Sequence, residues 1–170
     1  MTNVGKGAEV EAWTKATFTK AEQGDAFAQW LLGLMYDNGL GVPQDAKEAV
    51  KWFEKAAEQG NAVAQNNLAR MYRYGYGVPQ DYKEAVKWYE KAAQQGHASA
   101  QYNLGFMYAK GQGVLQDYVR AHMWWNIAAS SGYENAANNR NIIEGKMTAE
   151  QVAEAQDMAR ECVANNLKGC

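Results

Sequence analysis

Residues 61–96 read NAVAQNNLARMYRYGYGVPQDYKEAVKWYEKAAQQG, and closely similar stretches lie on both sides of them. A shift of 36 residues towards the N-terminus aligns this stretch with DAFAQWLLGLMYDNGLGVPQDAKEAVKWFEKAAEQG at 25–60. The same shift towards the C-terminus aligns it with HASAQYNLGFMYAKGQGVLQDYVRAHMWWNIAASSG at 97–132. A fixed period of this length is typical of stacked repeat proteins, in which each unit buries its apolar face against its neighbours.

Each unit is predicted to hold two helices. In the first helix, apolar residues recur at i, i+4, i+7 and i+8, which is one helical face. They are Ala28, Leu32, Met35, Tyr36, Ala64, Leu68, Met71, Tyr72, Ala100, Leu104, Met107 and Tyr108. In the second helix, small and aromatic residues alternate at i, i+3, i+4 and i+7, so that neighbouring helices can approach closely. They are Ala49, Trp52, Phe53, Ala56, Ala85, Trp88, Tyr89, Ala92, Ala121, Trp124, Trp125 and Ala128.

A GxG motif separates the two helices in every unit, at 39–41, 75–77 and 111–113. Phosphate-binding loops also contain such glycines, but they follow a strand and lead into one particular helix. Here the motif recurs between helices, where glycine permits the positive φ that reverses the chain. Pro43 and Pro79 follow, and then Asp45 and Asp81 are predicted to cap the second helix. We therefore interpret the motif as a turn.

The ends of the chain differ from the interior units, as the ends of a repeat array must. Residues 7–24 are predicted to form an N-terminal cap helix, with Val10, Trp13, either Ala16 or Thr17, and Ala21 on one side. Residues 133–147 form a partial unit, and TAEQ from Thr148 is a capping box that begins a C-terminal cap helix and tail at 148–170. We predict one repeat domain over residues 1–170, with full units at 25–60, 61–96 and 97–132.

Cys162 and Cys170 are the only cysteines. Within a continuous helix they would lie ~12 Å apart, too far for a disulfide, whose Cα atoms lie ~4.4–6.8 Å apart. Asn165, Asn166 and Gly169 favour a chain reversal between them, however. Two interpretations follow: two free thiols, or a disulfide that pins the tail and indicates an oxidising compartment. Two thiols without a nearby histidine offer too few ligands for a metal site.

Composition excludes several classes of partner. A net charge of −2 with both signs interleaved gives no basic surface for nucleic acid. No apolar run approaches the ~18–20 residues needed for a membrane span, and the start MTNVGKGAEVEAW lacks the pattern of a signal peptide. Two alternatives follow for the compartment. Either the protein is cytoplasmic, or Met1 is an engineered mature end. In the second case, paired cysteines would favour a periplasmic or secreted protein.

The repeated pattern A-x-x-x-L-G-x-M-Y-x-x-G-x-G-V-x-Q-D-Y-x-x-A-x-x-W-Y-x-x-A-A-x-x-G resembles the Sel1-like repeat, a relative of the tetratricopeptide repeat. The segments MWWNIAASSGYENA and KMTAEQVAEAQDMAR resemble the ends of bacterial members. The resemblance implies an all-α fold, a right-handed α/α solenoid whose first helices line a concave surface. It also implies an adaptor for protein–protein contact. Some cysteine-rich bacterial members join their helix pairs by disulfides and have been credited with weak penicillin-binding or β-lactamase activity, but none of these three units contains a cysteine.

Helical phase then predicts which side chains on the first helices would face a protein or peptide ligand. They run from apolar and aromatic residues to amides, and aromatic and arginine side chains are common binding anchors. They are Phe27, Trp30, Leu31, Leu34, Asn38, Val63, Asn66, Asn67, Arg70, Tyr74, Ser99, Tyr102, Asn103, Phe106, Lys110, Asn135, Asn138, Asn139 and Ile142. An alternative interpretation has Trp30, Leu31 and Leu34 packing under the N-terminal cap helix.

Three functions are compatible with this pattern. The first is a non-catalytic scaffold that binds protein or peptide, with no cofactor, metal or catalytic residue. The second is an envelope-associated hydrolase or penicillin-interacting protein, but Ser99, Ser130 and Ser131 are the only serines, and none begins an S-x-x-K motif. His97 is predicted to be a helix cap or a solvated residue, and His122 to be a packing or surface substitution. The third is a module that self-associates into a homo-oligomer.

Overall fold

The structure is a computed structural model that describes residues 3–170, with side chains from residue 9 onward. Helices and the turns between them make up all of this part of the chain. Over those residues there are nine helices and no strand. They are α1 (Asn3–Glu22), α2 (Ala26–Asn38), α3 (Ala46–Glu58), α4 (Ala62–Tyr74), α5 (Tyr82–Gln94), α6 (Ala98–Lys110), α7 (Tyr118–Ser130), α8 (Glu134–Glu144) and α9 (Ala149–Ala164). The predicted all-α repeat fold is confirmed.

The helices belong to two compact units. Unit 1 is Met1–Gln80 and unit 2 is Asp81–Cys170. In unit 1, α2 packs against α1 and α3, and α3 packs against α4. In unit 2, α6 packs against α5 and α7, and α7 also packs against α8 and α9. Each unit therefore contains successive helices in contact with their sequence neighbours, as repeats require.

The predicted apolar faces form the core. Leu32, Leu68 and Leu104 are completely buried, and so are the alanines and methionines of the same face, apart from Ala28 at 3%. Among the aromatic residues of the second helices, Phe53, Tyr89 and Trp125 are buried at equivalent positions. Trp52, Tyr36 and Tyr72 are only half-buried. The 3.6-residue period thus located the core, while the depth of burial varies from repeat to repeat.

Helix boundaries follow local hydrogen bonding. The Asp25 and Asn61 side chains accept from backbone N–H groups three residues on, and His97 does the same through Nδ1 at 3.3 Å. Asp45, Asp81 and Asp117 cap the second helices. Each satisfies backbone donors that the first turn leaves without a partner. The predicted caps are confirmed.

The GxG turns are closely packed as well as left-handed. Gly113 has φ of 74°, and a Cβ atom there would lie less than 3.0 Å from backbone atoms of Tyr82 and Lys83. Gly77 makes the equivalent approach to Ala46 and Lys47 in unit 1. Only glycine meets both requirements without displacing the start of a second helix.

A recurring glutamine was not singled out by the sequence analysis. Gln29, Gln65 and Gln101 are buried, and each Nε2 donates to a backbone carbonyl of the preceding helix, at 3.1, 3.0 and 3.1 Å. Those carbonyls belong to Ala21, Ala57 and Ala93 in the last turns of their helices, where each also accepts from the backbone N–H of the glycine three residues on. The signal was present in the sequence, since glutamine occupies this position in all three units.

The N-terminal helix departs from expectation in one respect. Thr17 and Ala21 are buried as predicted, but Val10 and Trp13 are 49% and 47% exposed. Helix α1 packs against α2, and its Val10 and Thr14 side chains also lie close to Gly41 in the turn after α2. These contacts leave about half of Val10 and Trp13 exposed. The side of α1 that carries Val10, Trp13, Thr17 and Ala21 is therefore buried only towards its C-terminal end.

The C-terminal tail is joined to α9. Thr148 and Gln151 form the predicted capping box, and Ala155, Ala159 and Cys162 are buried. Asn166 and Leu167 take positive φ values of 53° and 61°, and the chain reverses there. This brings Cys162 and Cys170 to a Cα–Cα distance of 5.5 Å in a disulfide. Of the two interpretations, the tail-pinning disulfide is the one found.

Candidate functional site

The predicted ligand-facing residues lie on four helices, two in each unit. The unit 1 strip consists of Phe27, Trp30, Leu31, Leu34, Asn38, Val63, Asn66, Asn67, Arg70 and Tyr74, on α2 and α4. The unit 2 strip consists of Ser99, Tyr102, Asn103, Phe106, Lys110, Asn135, Asn138, Asn139 and Ile142, on α6 and α8. All of these residues are exposed or half-buried, and none is buried. The opposite faces of α2, α4 and α6 supply the core.

Large apolar groups remain accessible in the unit 1 strip. Phe27 is 62% exposed, and its ring lies 5.2 Å from that of Trp30. Tyr74 is 49% exposed and stacks on Tyr76, with ring centroids 5.6 Å apart. Such side chains bury large areas when a partner covers them, with little loss of conformational freedom.

One polar contact within the unit 1 strip ties its two helices together. The Arg70 Nη2 donates to Asp37 Oδ2 at 2.7 Å, although Arg70 keeps about half of its side chain exposed. An exposed pair of this kind contributes little stability, roughly 0.2–1 kcal/mol. Its main effect is to hold the guanidinium plane at the surface with further N–H donors available.

In the unit 2 strip, Tyr102 connects three elements. Its hydroxyl accepts from Asn139 Nδ2 at 3.2 Å, and its backbone carbonyl accepts from the Trp125 indole at 2.9 Å. Its ring lies 5.0 Å from that of Tyr133. Tyr102 and Asn139 are thus held in place by neighbours, whereas Asn138 is exposed.

The end of the unit 2 strip opens into a cavity of about 410 Å³. Four of its lining residues belong to the strip: Phe106, Lys110, Asn139 and Ile142. The others come from the end of α6, the turn after it, α7, the end of α8 and the turn after α8: Ala109, Gln116, Tyr118, Trp125, Ile143 and Lys146. We call it the dibasic pocket, because it contains two lysines. A volume of this size is typical of small ligand sites.

The groups relevant to the hydrolase hypothesis are engaged in structural contacts. The hydroxyls of Ser130 and Ser131 donate to the carbonyl of Ile127, at 2.7 and 3.4 Å. His122 is fully buried, which decides between the packing and surface alternatives, and its Nε2 lies 2.7 Å from Glu144 Oε1. A nucleophilic serine needs a base within hydrogen-bond reach, and these serines have a backbone carbonyl there instead.

Five titratable groups have perturbed pKa values, and Glu90 and His97 are the carboxyl and the imidazole among them. Burial raises the pKa of Glu90, while Arg120 and a hydrogen bond from the Tyr108 hydroxyl act in the opposite direction. Burial lowers the pKa of His97, the cap of α6. Both groups belong to helix contacts within unit 2, so we assign the shifts to structural positions and not to chemistry.

The described residues hold neither a cluster of metal ligands nor a helix that could span a membrane. Among the described residues, no group of three histidine, cysteine, aspartate or glutamate side chains is placed to hold a metal ion. Within the same part of the chain, no helix combines the length and the apolar character that crossing a bilayer requires.

Comparison with known proteins confirms the family resemblance. A family model for the Sel1 repeat matches residues 26–61, 62–97 and 98–133. Among solved structures, the chain is similar to the Sel1 repeat protein from Oxalobacter formigenes, with 41% identity and a TM-score of 0.69 over 75% of this chain and 96% of that one. A search of curated proteins gave no match.

Two further structures share the fold. One is c5321, a protective antigen present in uropathogenic Escherichia coli strains and displaying an SLR fold, with 32% identity and a TM-score of 0.70. It matches 91% of this chain, which spans only 41% of its length. The other is cysteine rich protein B of Helicobacter pylori, at 19% identity and a TM-score of 0.61, over 78% of this chain and 95% of that one. Since the three matched repeats cover more than half of its residues, the chain belongs to the Sel1 repeat family.

Proposed function

We propose that the chain is a non-catalytic scaffold that binds protein or peptide segments through the unit 1 strip and the unit 2 strip. Sel1 repeat proteins are commonly scaffolds for protein–protein interaction and are typically not enzymes. The observation that supports the proposal is the contrast between the two faces of each strip helix. One face is buried apart from the half-buried Tyr36 and Tyr72, while the other leaves aromatic, amide and cationic side chains accessible.

The unit 1 strip has the composition of an apolar anchor site. Phe27 at 62%, Val63 at 39% and Tyr74 at 49% exposure are unusual for residues of this kind. Aromatic and arginine side chains dominate binding energy at protein interfaces, and Arg70 lies on the same surface. We expect this strip to bind apolar side chains of a partner.

The unit 2 strip is richer in amides. Asn103, Asn138 and Asn139 lie on α6 and α8, and each amide can donate to and accept from a peptide backbone. Asn139 already donates to Tyr102, so its oxygen is the group that remains for a ligand N–H. We expect this strip to recognise an extended backbone more than particular side chains.

The test is a selection of peptides from a phage-displayed library against the full chain, followed by affinity measurements with variants. Asn67→Ala/Arg70→Ala tests the unit 1 strip, Asn103→Ala/Asn138→Ala tests the unit 2 strip, and all four changes together test both. Lys47→Ala/Lys83→Ala, on exposed positions of α3 and α5, is the matched control. Circular dichroism establishes that each variant is folded.

We expect the selected peptides to bind the control like the wild type and to bind the strip variants at least about tenfold more weakly, a loss of about 1.4 kcal/mol. Equal affinity for all folded variants would move the site away from both strips. Light scattering at two protein concentrations separates this function from self-association, because a homo-oligomer would change mass with dilution.

A further inference from the structure

The dibasic pocket combines two lysines with aromatic side chains. Lys110, the last residue of α6, and Lys146, which follows α8, both carry exposed ammonium groups. The Lys110 Nζ lies 5.8 Å from the Phe106 ring centroid, and the Lys146 Nζ lies 5.9 Å from the Tyr118 ring centroid. No aspartate or glutamate lines the cavity. The pocket is therefore cationic with aromatic walls, in a chain whose net charge is −2.

The acidic residues nearest in sequence are engaged elsewhere. Asp117 caps α7 and lies 3.5 Å from Arg120. Glu144 contacts His122 at 2.7 Å and Arg140 at 4.0 Å. Among the described residues, neither Lys110 nor Lys146 has an ion-pair partner, so nothing there neutralises the two ammonium groups.

Two residues that line the dibasic pocket, Ala109 and Ile142, correspond to an ion pair in unit 1. In unit 1, Arg70 Nη2 on α4 lies 2.7 Å from Asp37 Oδ2 on α2. Two periods further along the chain, these positions hold Ala109 and Ile142, and both line the dibasic pocket. Ala109 and Ile142 therefore carry no charge where unit 1 has an ion pair. The residues of unit 1 that correspond to Lys110 and Lys146 are Asn38 and Tyr74, so the two positive charges are particular to unit 2.

We infer that the dibasic pocket binds the carboxylate of an acidic peptide segment next to an apolar side chain. This inference rests on the proposed function and names the chemistry of the segment that the unit 2 strip would accept. Two ammonium groups attract a carboxylate without demanding the planar geometry that an arginine imposes. Trp125, Phe106 and Ile142 supply apolar contact beside it. The carboxylate can belong to a glutamate or aspartate side chain, or to a peptide C-terminus.

The test uses three unlabelled peptides and the ¹⁵N-labelled full chain, followed by NMR. Acetyl-Gly-Ser-Leu-Glu-Leu-amide offers only a side-chain carboxylate. Acetyl-Gly-Ser-Leu-Gln-Leu with a free C-terminus offers only a terminal carboxylate, and its amide offers neither. The indole N–H of Trp125 is the reporter within the pocket. Lys110→Gln/Lys146→Gln removes the two ammonium groups, and Lys83→Gln/Lys91→Gln on α5 is the control with the same change in net charge.

We expect at least one carboxylate peptide to shift the Trp125 indole signal and to bind about tenfold more tightly than the neutral peptide. That advantage disappears in Lys110→Gln/Lys146→Gln and persists in Lys83→Gln/Lys91→Gln. Comparing the first two peptides tells which source of carboxylate is preferred.

Equal binding of all three peptides, an equal loss in both lysine variants, or no binding of any carboxylate peptide at about 1 mM would overturn the inference. In those cases, library-selected peptides that still lose affinity for the strip variants would leave the proposed scaffold function intact. Conversely, carboxylate-dependent binding at Trp125 together with unaltered affinity of the library peptides for all strip variants would overturn the proposed function alone.

Discussion

Helix α3 in unit 1 and helix α7 in unit 2 occupy the same place in the repeat but have different surroundings. On α3, Lys51 and Lys55 are exposed; Lys51 pairs with Glu48, and the Lys55 ammonium lies 4.1 Å above the Trp52 ring. On α7 the corresponding residues are Met123 and Ile127, which are 1% and 4% exposed. The outer face that is solvated on α3 is buried on α7.

The difference arises from α9, which packs against α7. At the equivalent tryptophan position, Trp52 is half-buried and Trp124 is only 2% exposed, although Trp88 on α5 is buried as well, at 8%. Where water reaches the second helix of a repeat, as on α3, the exposed positions hold long charged side chains. Where a cap helix packs on it, as α9 does on α7, apolar side chains stand in their place. Burial of a repeat position is thus decided by what packs on it as well as by the pattern of its own helix.

The largest expected effect comes from making α7 resemble α3. Met123→Lys/Ile127→Lys would place two ammonium groups beneath α9, at positions that are 1% and 4% exposed. We expect the free energy of unfolding to fall by at least ~3 kcal/mol, because an unpaired buried charge is strongly destabilising. Urea denaturation of the full chain measures this change.

The reciprocal change in unit 1 is the control. Lys51→Met/Lys55→Ile alters exposed positions and loses only one surface pair and one cation–π contact. The expected change in unfolding free energy is within about 1 kcal/mol. Similar losses for both double variants would mean that cover by α9 is not what separates the two helices.

The second prediction concerns what holds α9 in place. Cys162→Ala/Cys170→Ala opens a loop with a sequence separation of 8. The chain-entropy model gives a loss of about 2–3 kcal/mol for such a loop. Hydrogen exchange should quicken in α9 and α7 and stay unchanged in α3. Unchanged exchange in α9 would show that the tail contributes nothing to its docking.

The smallest expected effect distinguishes the caps of the first helices. Burial lowers the pKa of His97 below its ordinary value of 6.5, so the folded state favours the neutral imidazole. Its contribution to stability is present above pH 6.5 and is lost as the pH falls from there towards the lowered pKa, because protonated Nδ1 cannot accept from Ala100. His97→Asn keeps a cap and should remove this acid sensitivity, which amounts to at most ~1 kcal/mol.

Thermal melts between pH 7 and pH 5 measure that difference. Asn61 occupies the same position in unit 1 and accepts from Ala64 at 2.9 Å. Asn61→His is therefore the matched variant, and it should introduce an acid sensitivity that the wild-type cap of α4 lacks. A wild type and His97→Asn variant with parallel melting temperatures across this range would contradict the assignment.

Much of the fold was predictable because it depends on interactions between residues close in sequence. The caps at Asp45 and Asp81, the left-handed glycines of the turns and the buried Leu32, Leu68 and Leu104 all follow from spacing within one helix or one turn. The chain reversal at Asn166 was anticipated for the same reason. The ligand-facing strips remain a prediction, for which their exposure is a necessary condition.

Other features depend on residues that are far apart in sequence. The pair of Asp37 and Arg70 joins helices of successive repeats, and the buried contact of His122 with Glu144 joins α7 to α8. Two lysines one period apart gave no hint that they would border one cavity. Periodicity also could not reveal that Val10 and Trp13 are about half exposed, because it identifies an apolar face without identifying what packs against that face.

The sequence by itself determined where each helix begins and ends, which face of it is apolar, and that the pattern recurs every 36 residues. These properties depend on backbone hydrogen bonding and side-chain spacing over a few turns. Only the tertiary structure decided which apolar faces are covered, which charges find a counter-charge and where a cavity is left. Those outcomes depend on distances between helices, which no local pattern specifies.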